Sequence, residues 1–153
     1  MKLTKQKRIL CLDLGDKRIG IAISDEFRLT AQPHKVIERK NSSFDFSKII
    51  DIIESFQIGE IIVGMPFNMN GSMGPQAQKA LAFIDKLKDK VQIPINQWDE
   101  RLSSCAAEKT LIEANISRRK RKNIIDKMAA QYILQGYLDH KNISIEDNMN
   151  WDN

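Results

Sequence analysis

The chain has 153 residues, 42% hydrophobic and 29% charged, with a formal net charge of +4. That length suits one domain with a sizeable core, and the composition is ordinary for a globular protein rather than a disordered or fibrous one. No apolar run approaches the roughly 20 residues that span a bilayer. The N-terminal MKLTKQKRILCLDLG lacks both a long apolar stretch and a small-residue cleavage site, so a signal peptide is rejected and a cytoplasmic protein without membrane contact is expected.

Residues 8–14 read as a first strand, whose apolar run from Ile9 to Leu14 is broken only by Asp13. Gly15-Asp16-Lys17-Arg18 is a turn, and Ile19 to Ser24 a second strand. A third, less apolar strand is expected between Leu29 and Glu38, with Pro33 marking a bulge or an edge. Short turns between these three make an antiparallel meander. The period then changes: Phe46, Ile49, Ile50, Ile53 and Phe56 fall on one helical face, with Asn41, Ser42 and Ser43 as candidate caps. Ile61-Ile62-Val63 reads as a short buried parallel strand. The loop GMPFNMNGSMGP, Gly64 to Pro75, leads into a helix whose apolar stripe is Ala77, Ala80, Leu81, Ile84 and Leu87, with Pro75 as its first residue. Val91 to Asn96 is a fifth strand, expected at an edge because of Pro94. Leu102 to Ala114 and about Ile124 to Leu138 are helical.

The order βββαβαβαα predicts an α/β fold. Strands four and five each follow a helix, so they should run parallel to the first strand through right-handed crossovers. The expected product is a five-stranded mixed sheet, antiparallel in strands one to three, with helices on both faces. Residues 1–141 form the expected single domain, and 142–153 a polar, frayed tail. In such sheets ligands bind beyond the carboxyl ends of the strands, where Asp13, Gly64 and the Asp99-Glu100 pair would converge.

Asp13 demands a partner, because an ionised carboxylate removed from water is costly unless it is paired or binds a cation. It could instead cap the Gly15 turn. Glu100, in WDERLSS, could pair with Arg101 or Lys109 on the surface. Asp126, in NIIDKMAAQYIL, could simply complement the helix dipole three residues after an Asn123 cap. Together, three carboxylates on rigid elements suit Mg²⁺ or Mn²⁺, and a pair of such ions can clamp both oxygens of a phosphodiester displacement.

Charge is concentrated. Arg118, Arg119, Lys120, Arg121 and Lys122 are consecutive, and without them the chain carries a net charge of −1. This run precedes Asp126 and could hold a nucleic-acid backbone; Lys17 and Arg18 could add to it, although hairpin tips are commonly charged. Trp98 reads as core rather than a stacking platform. Cys11 and Cys105 read as small buried hydrophobes, and neither His34 nor His140 has a partner at zinc-ligand spacing.

DLGDKRIGIAISDE (Asp13–Glu26), the GMPFNMNGSMGP loop, WDERLSSCAAEKTL (Trp98–Leu111) and SRRKRKNIIDKMAAQYILQGYLD (Ser117–Asp139) together resemble the YqgF/RuvX family. These are Holliday-junction-resolvase-like proteins of ribonuclease H-like fold. The resemblance implies an acidic triad on Asp13, Glu100 and Asp126, the same three acids. Asp16, Met65, Ser103 and Ser104 depart from the usual family residues without removing a ligand. It implies a metal-dependent nuclease that matures the 5′ end of the 16S ribosomal RNA precursor. The expected partner is therefore precursor ribosomal RNA, free or ribosome-bound, for a monomer or weak dimer. The alternatives are a junction-resolving DNA nuclease of the same chemistry and a non-catalytic RNA-binding module. An actin-like ATPase would require two such domains, and the chain is too short for that.

Overall fold

The computed structural model describes residues 3–102 and 128–143. Its elements, in chain order, are β1 (Arg8–Leu14), β2 (Arg18–Ser24), β3 (Ala31–Glu38), α1 (Ser42–Phe56), β4 (Ile58–Met65), α2 (Pro75–Lys88) and β5 (Ile95–Asp99). A short 3₁₀ turn, Glu100–Leu102, follows β5, and residues 128–143 form helix α3. The predicted helix beyond Leu102, Cys105, the basic run 118–122 and Asp126 lie outside the described residues.

The five strands form one sheet in the order β3-β2-β1-β4-β5. β1 is antiparallel to β2 and β2 to β3, whereas β1–β4 and β4–β5 are parallel. This is the predicted arrangement. The proline arguments also hold. β3 is an edge strand, and its register slips where Ala22 faces Pro33. Pro94 has no N–H to donate, so β5 begins only at Ile95, although the Pro94 carbonyl still accepts from the Ile61 amide at 2.9 Å. The fifth strand thus runs later than the expected Val91–Asn96 and takes in Trp98 and Asp99.

Side chains alternate along a strand, and here the alternation sorts them into two layers. Leu10, Leu12, Ile19, Ile21, Ile23, Ile61, Val63 and Met65 face α1 and α2. Ile9, Cys11, Ala22 and Ile62 face α3, against Ala130, Ile133 and Leu134. Trp98 packs with this second layer, edge-on to Tyr137 at 5.6 Å and tilted against His140 at 5.3 Å. Cys11 is fully buried. α1 starts at Asn41, whose side chain accepts from the Phe44 amide at 2.9 Å, and it ends at Gln57 in the left-handed conformation (φ 53°). Ile52, not the expected Ile50, is the buried isoleucine of its second half. α2 opens on Pro75 as expected.

Candidate active site

β1, β4 and β5 are parallel, so their carboxyl ends share one edge of the sheet. The β1–β4 register runs up to Leu12 opposite Val63, which brings the next residues, Asp13 and Gly64, side by side. On the other flank Asp13 is opposite Gly20 of β2. A half-buried acid thus sits between two strands that each present a glycine at its level. By parity, Asp13, Gly20 and Gly64 all belong to the α3 face, with Cys11, Ala22 and Ile62.

Gly64 then determines where Glu100 goes. A Cβ built on Gly64 would come 2.8 Å from Glu100 Oε1, 3.2 Å from its Cγ and 2.9 Å from Ile133 Cδ1. The Glu100 side chain therefore folds back over the end of β4, into space that exists only because residue 64 has no side chain. The same gap is bounded by Ile133 of α3. Asp13 and Glu100, 87 positions apart in the chain, are gathered at one sheet edge and on one face.

Arg101 braces the segment around Glu100. Arg101, one of the two cations offered as an alternative surface partner for Glu100, is committed to a different acid. Its guanidinium engages Asp99, with Nη2 donating to Oδ2 at 2.6 Å and Nε to both carboxylate oxygens at 3.0 Å. Nη1 donates to the Met69 carbonyl at 3.2 Å, and the group lies over the Phe67 ring at 5.8 Å. Such planar, multidentate pairing is geometrically demanding. It ties the loop after β4 to the end of β5 on either side of Glu100. The Arg101 hydrogen bond holds the Asp99 carboxyl below the usual range, against a smaller opposing effect of burial. Sequence reading missed this clamp, although the D-x-R spacing was a visible signal.

A second support lies behind Asp13. Asp45, almost fully buried in the first turn of α1, accepts from Arg39 Nε at 3.2 Å and from the Lys40 amide at 3.1 Å. Arg39 Nη1 in turn donates to the Gly15 carbonyl at 2.7 Å, and the Gly15 amide closes the turn onto Arg18 O at 2.8 Å. The turn that follows Asp13 is thus anchored to α1. Of the predicted phosphate contacts, Lys17 is exposed at this turn, and Arg18 pairs across strands with Glu38 at 3.0 Å. Asp126, Arg118, Arg119, Lys120, Arg121 and Lys122 lie outside the described residues. Among the described residues no three His, Cys, Asp or Glu side chains form a group that could hold a metal.

The α3 face also carries a buried polar contact at the opposite end of β4. Glu60 Oε2 accepts from Tyr137 Oη at 2.6 Å, and Arg28 Nη1 stands 3.5 Å from Oε1. Burial first, and the adjacent Glu60 second, push the Tyr137 hydroxyl well above its ordinary pKa. Tyr137 therefore acts as a donor that fastens α3 to β4.

Comparison with known proteins places this arrangement. The model of the family described as "RuvX: Holliday junction resolvase" matches residues 7–140. A protein of Desulforamulus reducens named "Putative pre-16S rRNA nuclease" is 55% identical over 132 residues, covering 86% of this chain and 96% of its own. A protein of Halothermothrix orenii with the same name is 53% identical over 135 residues, covering 88% and 96% respectively. The Thermus thermophilus RuvC structure, solved in complex with a Holliday junction substrate, superposes with a TM-score of 0.56. It does so at 12% identity over 88% of this chain and 95% of that one, so it speaks for a shared ribonuclease H-like fold. With four matching motifs, the expected strand order and a family match across nearly all of its length, the chain belongs to the RuvX (YqgF) family.

Proposed function

We propose that this chain is a nuclease that hydrolyses phosphodiester bonds in structured RNA and matures the 5′ end of the 16S ribosomal RNA precursor. The observation that carries the reading is the convergence of Asp13 and Glu100 at the carboxyl edge of the sheet, in room left by Gly64. The relatives at 53–55% identity, named for pre-16S rRNA, supply the substrate. The family description names a Holliday junction instead, and a four-way DNA junction is therefore the competing substrate.

The donor chemistry fits a hard divalent cation. Asp13 and Glu100 offer only oxygen, and Glu100 is folded against the end of β4 rather than out into solvent. Asp126, in the D-x-x-A-A motif Asp126–Ala130 that matches the family pattern, is assigned as the third oxygen ligand. Bound Mg²⁺ or Mn²⁺ supplies Lewis acidity and a water nucleophile. The chain's own residues hold and orient. Asp13 is carried on a central strand between two paired neighbours. Glu100 is set by the Asp99–Arg101 clamp. The run Arg118, Arg119, Lys120, Arg121 and Lys122, with Lys17 and Arg18, neutralises and registers the backbone. We assign this work to one domain, residues 1–141, of a cytoplasmic protein that acts as a monomer or weak dimer on free or ribosome-bound precursor.

Asp13→Asn keeps the shape of the side chain and removes its charge. Cleavage of a 5′-extended 16S precursor transcript in Mg²⁺ should fall on the order of 10³-fold, with an unchanged far-UV spectrum. Full turnover by the folded variant would eliminate the proposed site. A four-way DNA junction at the same salt is the parallel arm, and faster cleavage of the junction would reassign the substrate while leaving the site in place.

A further inference from the structure

On the face opposite the candidate acids lies a groove of about 690 Å³ between the β1–β2 turn, the start of α1 and α2. Its wall begins with Leu14 and Gly15, the two residues that follow Asp13. The charge inside is unevenly spent. Its three carboxylates are all engaged: Asp45 with Arg39 at 3.2 Å, Glu38 with Arg18 at 3.0 Å and Asp16 with Lys79 at 3.2 Å. Lys79 and the Gln76 amide together hold the Asp16 carboxyl below its ordinary range. Three lining lysines, Lys17, Lys40 and Lys86, have no ion pair among the described residues. The amino end of α1 also opens here, at Asn41 and Ser42, and adds the positive end of a helix dipole.

We propose that this groove is a second nucleic-acid track, in which Lys40 and Lys86 take backbone phosphates of the strand that leaves the Asp13 site around the sheet edge. The inference rests on the nuclease reading for the identity of the strand. The physical case is continuity and charge. The groove starts at the residue after the candidate catalytic acid, its carboxylates are internally satisfied, and its surplus charge is positive. Phosphate contacts of this kind carry affinity and register without reading sequence.

The test uses full-length protein carrying Asp13→Asn, so that binding is read without cleavage. The probe is the 5′-extended 16S precursor transcript, titrated across a salt series. Adding Lys40→Gln and Lys86→Gln should weaken binding by roughly tenfold or more. The slope of log affinity against log salt should fall by about 1.4 to 1.8, the contribution of two lost phosphate contacts. Lys88→Gln with Lys90→Gln removes the same charge from exposed positions outside the groove and should leave both quantities as they were. Both lysines of the groove pair are exposed, and each single Gln variant provides the same reading at half the slope change. Unchanged affinity and slope in the groove variant, or an equal loss in the control pair, would overturn the track. If the wild-type chain, with Asp13 intact and Mg²⁺ present, does not cut this RNA but binding still depends on Lys40 and Lys86, the nuclease reading fails and the track survives.

Discussion

The two faces of the sheet handle polarity in opposite ways. Towards α1 and α2, the central strands present Leu10, Leu12, Ile61, Val63 and Met65, all buried and all apolar. Towards α3, the same two strands present Ile9, Cys11 and Asp13 on β1, and Glu60, Ile62 and Gly64 on β4. One face is a hydrocarbon layer that holds the fold. The other interleaves acids and glycines with its apolar residues, and both candidate acids lie there. A site that must hold charge tolerates neither a continuous apolar layer nor crowding side chains. The strand period of two lets a single strand serve both purposes, with Leu12 on one side and Asp13 on the other.

The comparison can be broken face by face. The largest effect on stability should come from the apolar layer. Ile61→Ala removes a fully buried side chain beside α1 and α2, and should cost about 2–5 kcal/mol in chemical denaturation. Turnover per folded molecule should be unchanged. Gly64→Ala should do the reverse. Its methyl would press on Glu100 and Ile133, so kcat should drop about 10²-fold through displacement of Glu100. The overpacking cost should be a more modest ~1–3 kcal/mol. Full activity in Gly64→Ala would show that the position of Glu100 is immaterial.

Tyr137→Phe tests the polar fastening of the α3 face. It deletes the donor to buried Glu60 and should cost about 1–2 kcal/mol, measured by urea titration at neutral pH. The smallest effect is expected far from either face, at the β2–β3 turn. There Asp25 accepts from the amides of Phe27, Leu29 and Thr30 at 3.2, 2.7 and 2.9 Å. Burial alone would raise its pKa, but the amide donors together outweigh burial and hold it below the ordinary carboxylate range. A carboxyl depressed in the folded state stabilises above its unfolded pKa, and that contribution is lost as pH falls through the lower folded value. Asp25→Ala should therefore cost ~1 kcal/mol at neutral pH. Its melting temperature should also decline less than the parent's as the pH drops below about 4.

Much of this was legible in the residues. The change of period at Phe46, the Asn41 cap, Pro75 at the head of α2 and Pro33 at an edge each reflect local rules that act within a few residues. Asp13 stood out because its neighbours are apolar. The misreadings have physical causes as well. The pattern predicts a fifth strand over Val91–Asn96, whereas Pro94 delays its start to Ile95 and the strand runs on to Asp99. Ile50 and Ile52 are both apolar, and only packing against the sheet decides which one is buried. The Asp99–Arg101 pairing is local, but the Met69 carbonyl that Arg101 also engages comes from a loop 32 positions away, a proximity that no local pattern encodes.

Element types, the mixed sheet and the family were readable from residues alone, because periodicity, caps and motifs are properties of short segments. Only the assembled fold shows that Gly64 makes room for Glu100, that Arg101 reaches the Met69 carbonyl, and that a groove rich in lysine opens behind Asp13. These are meetings of residues from different strands and loops, set by strand register and by which side chain is missing, and register is fixed only when the sheet assembles.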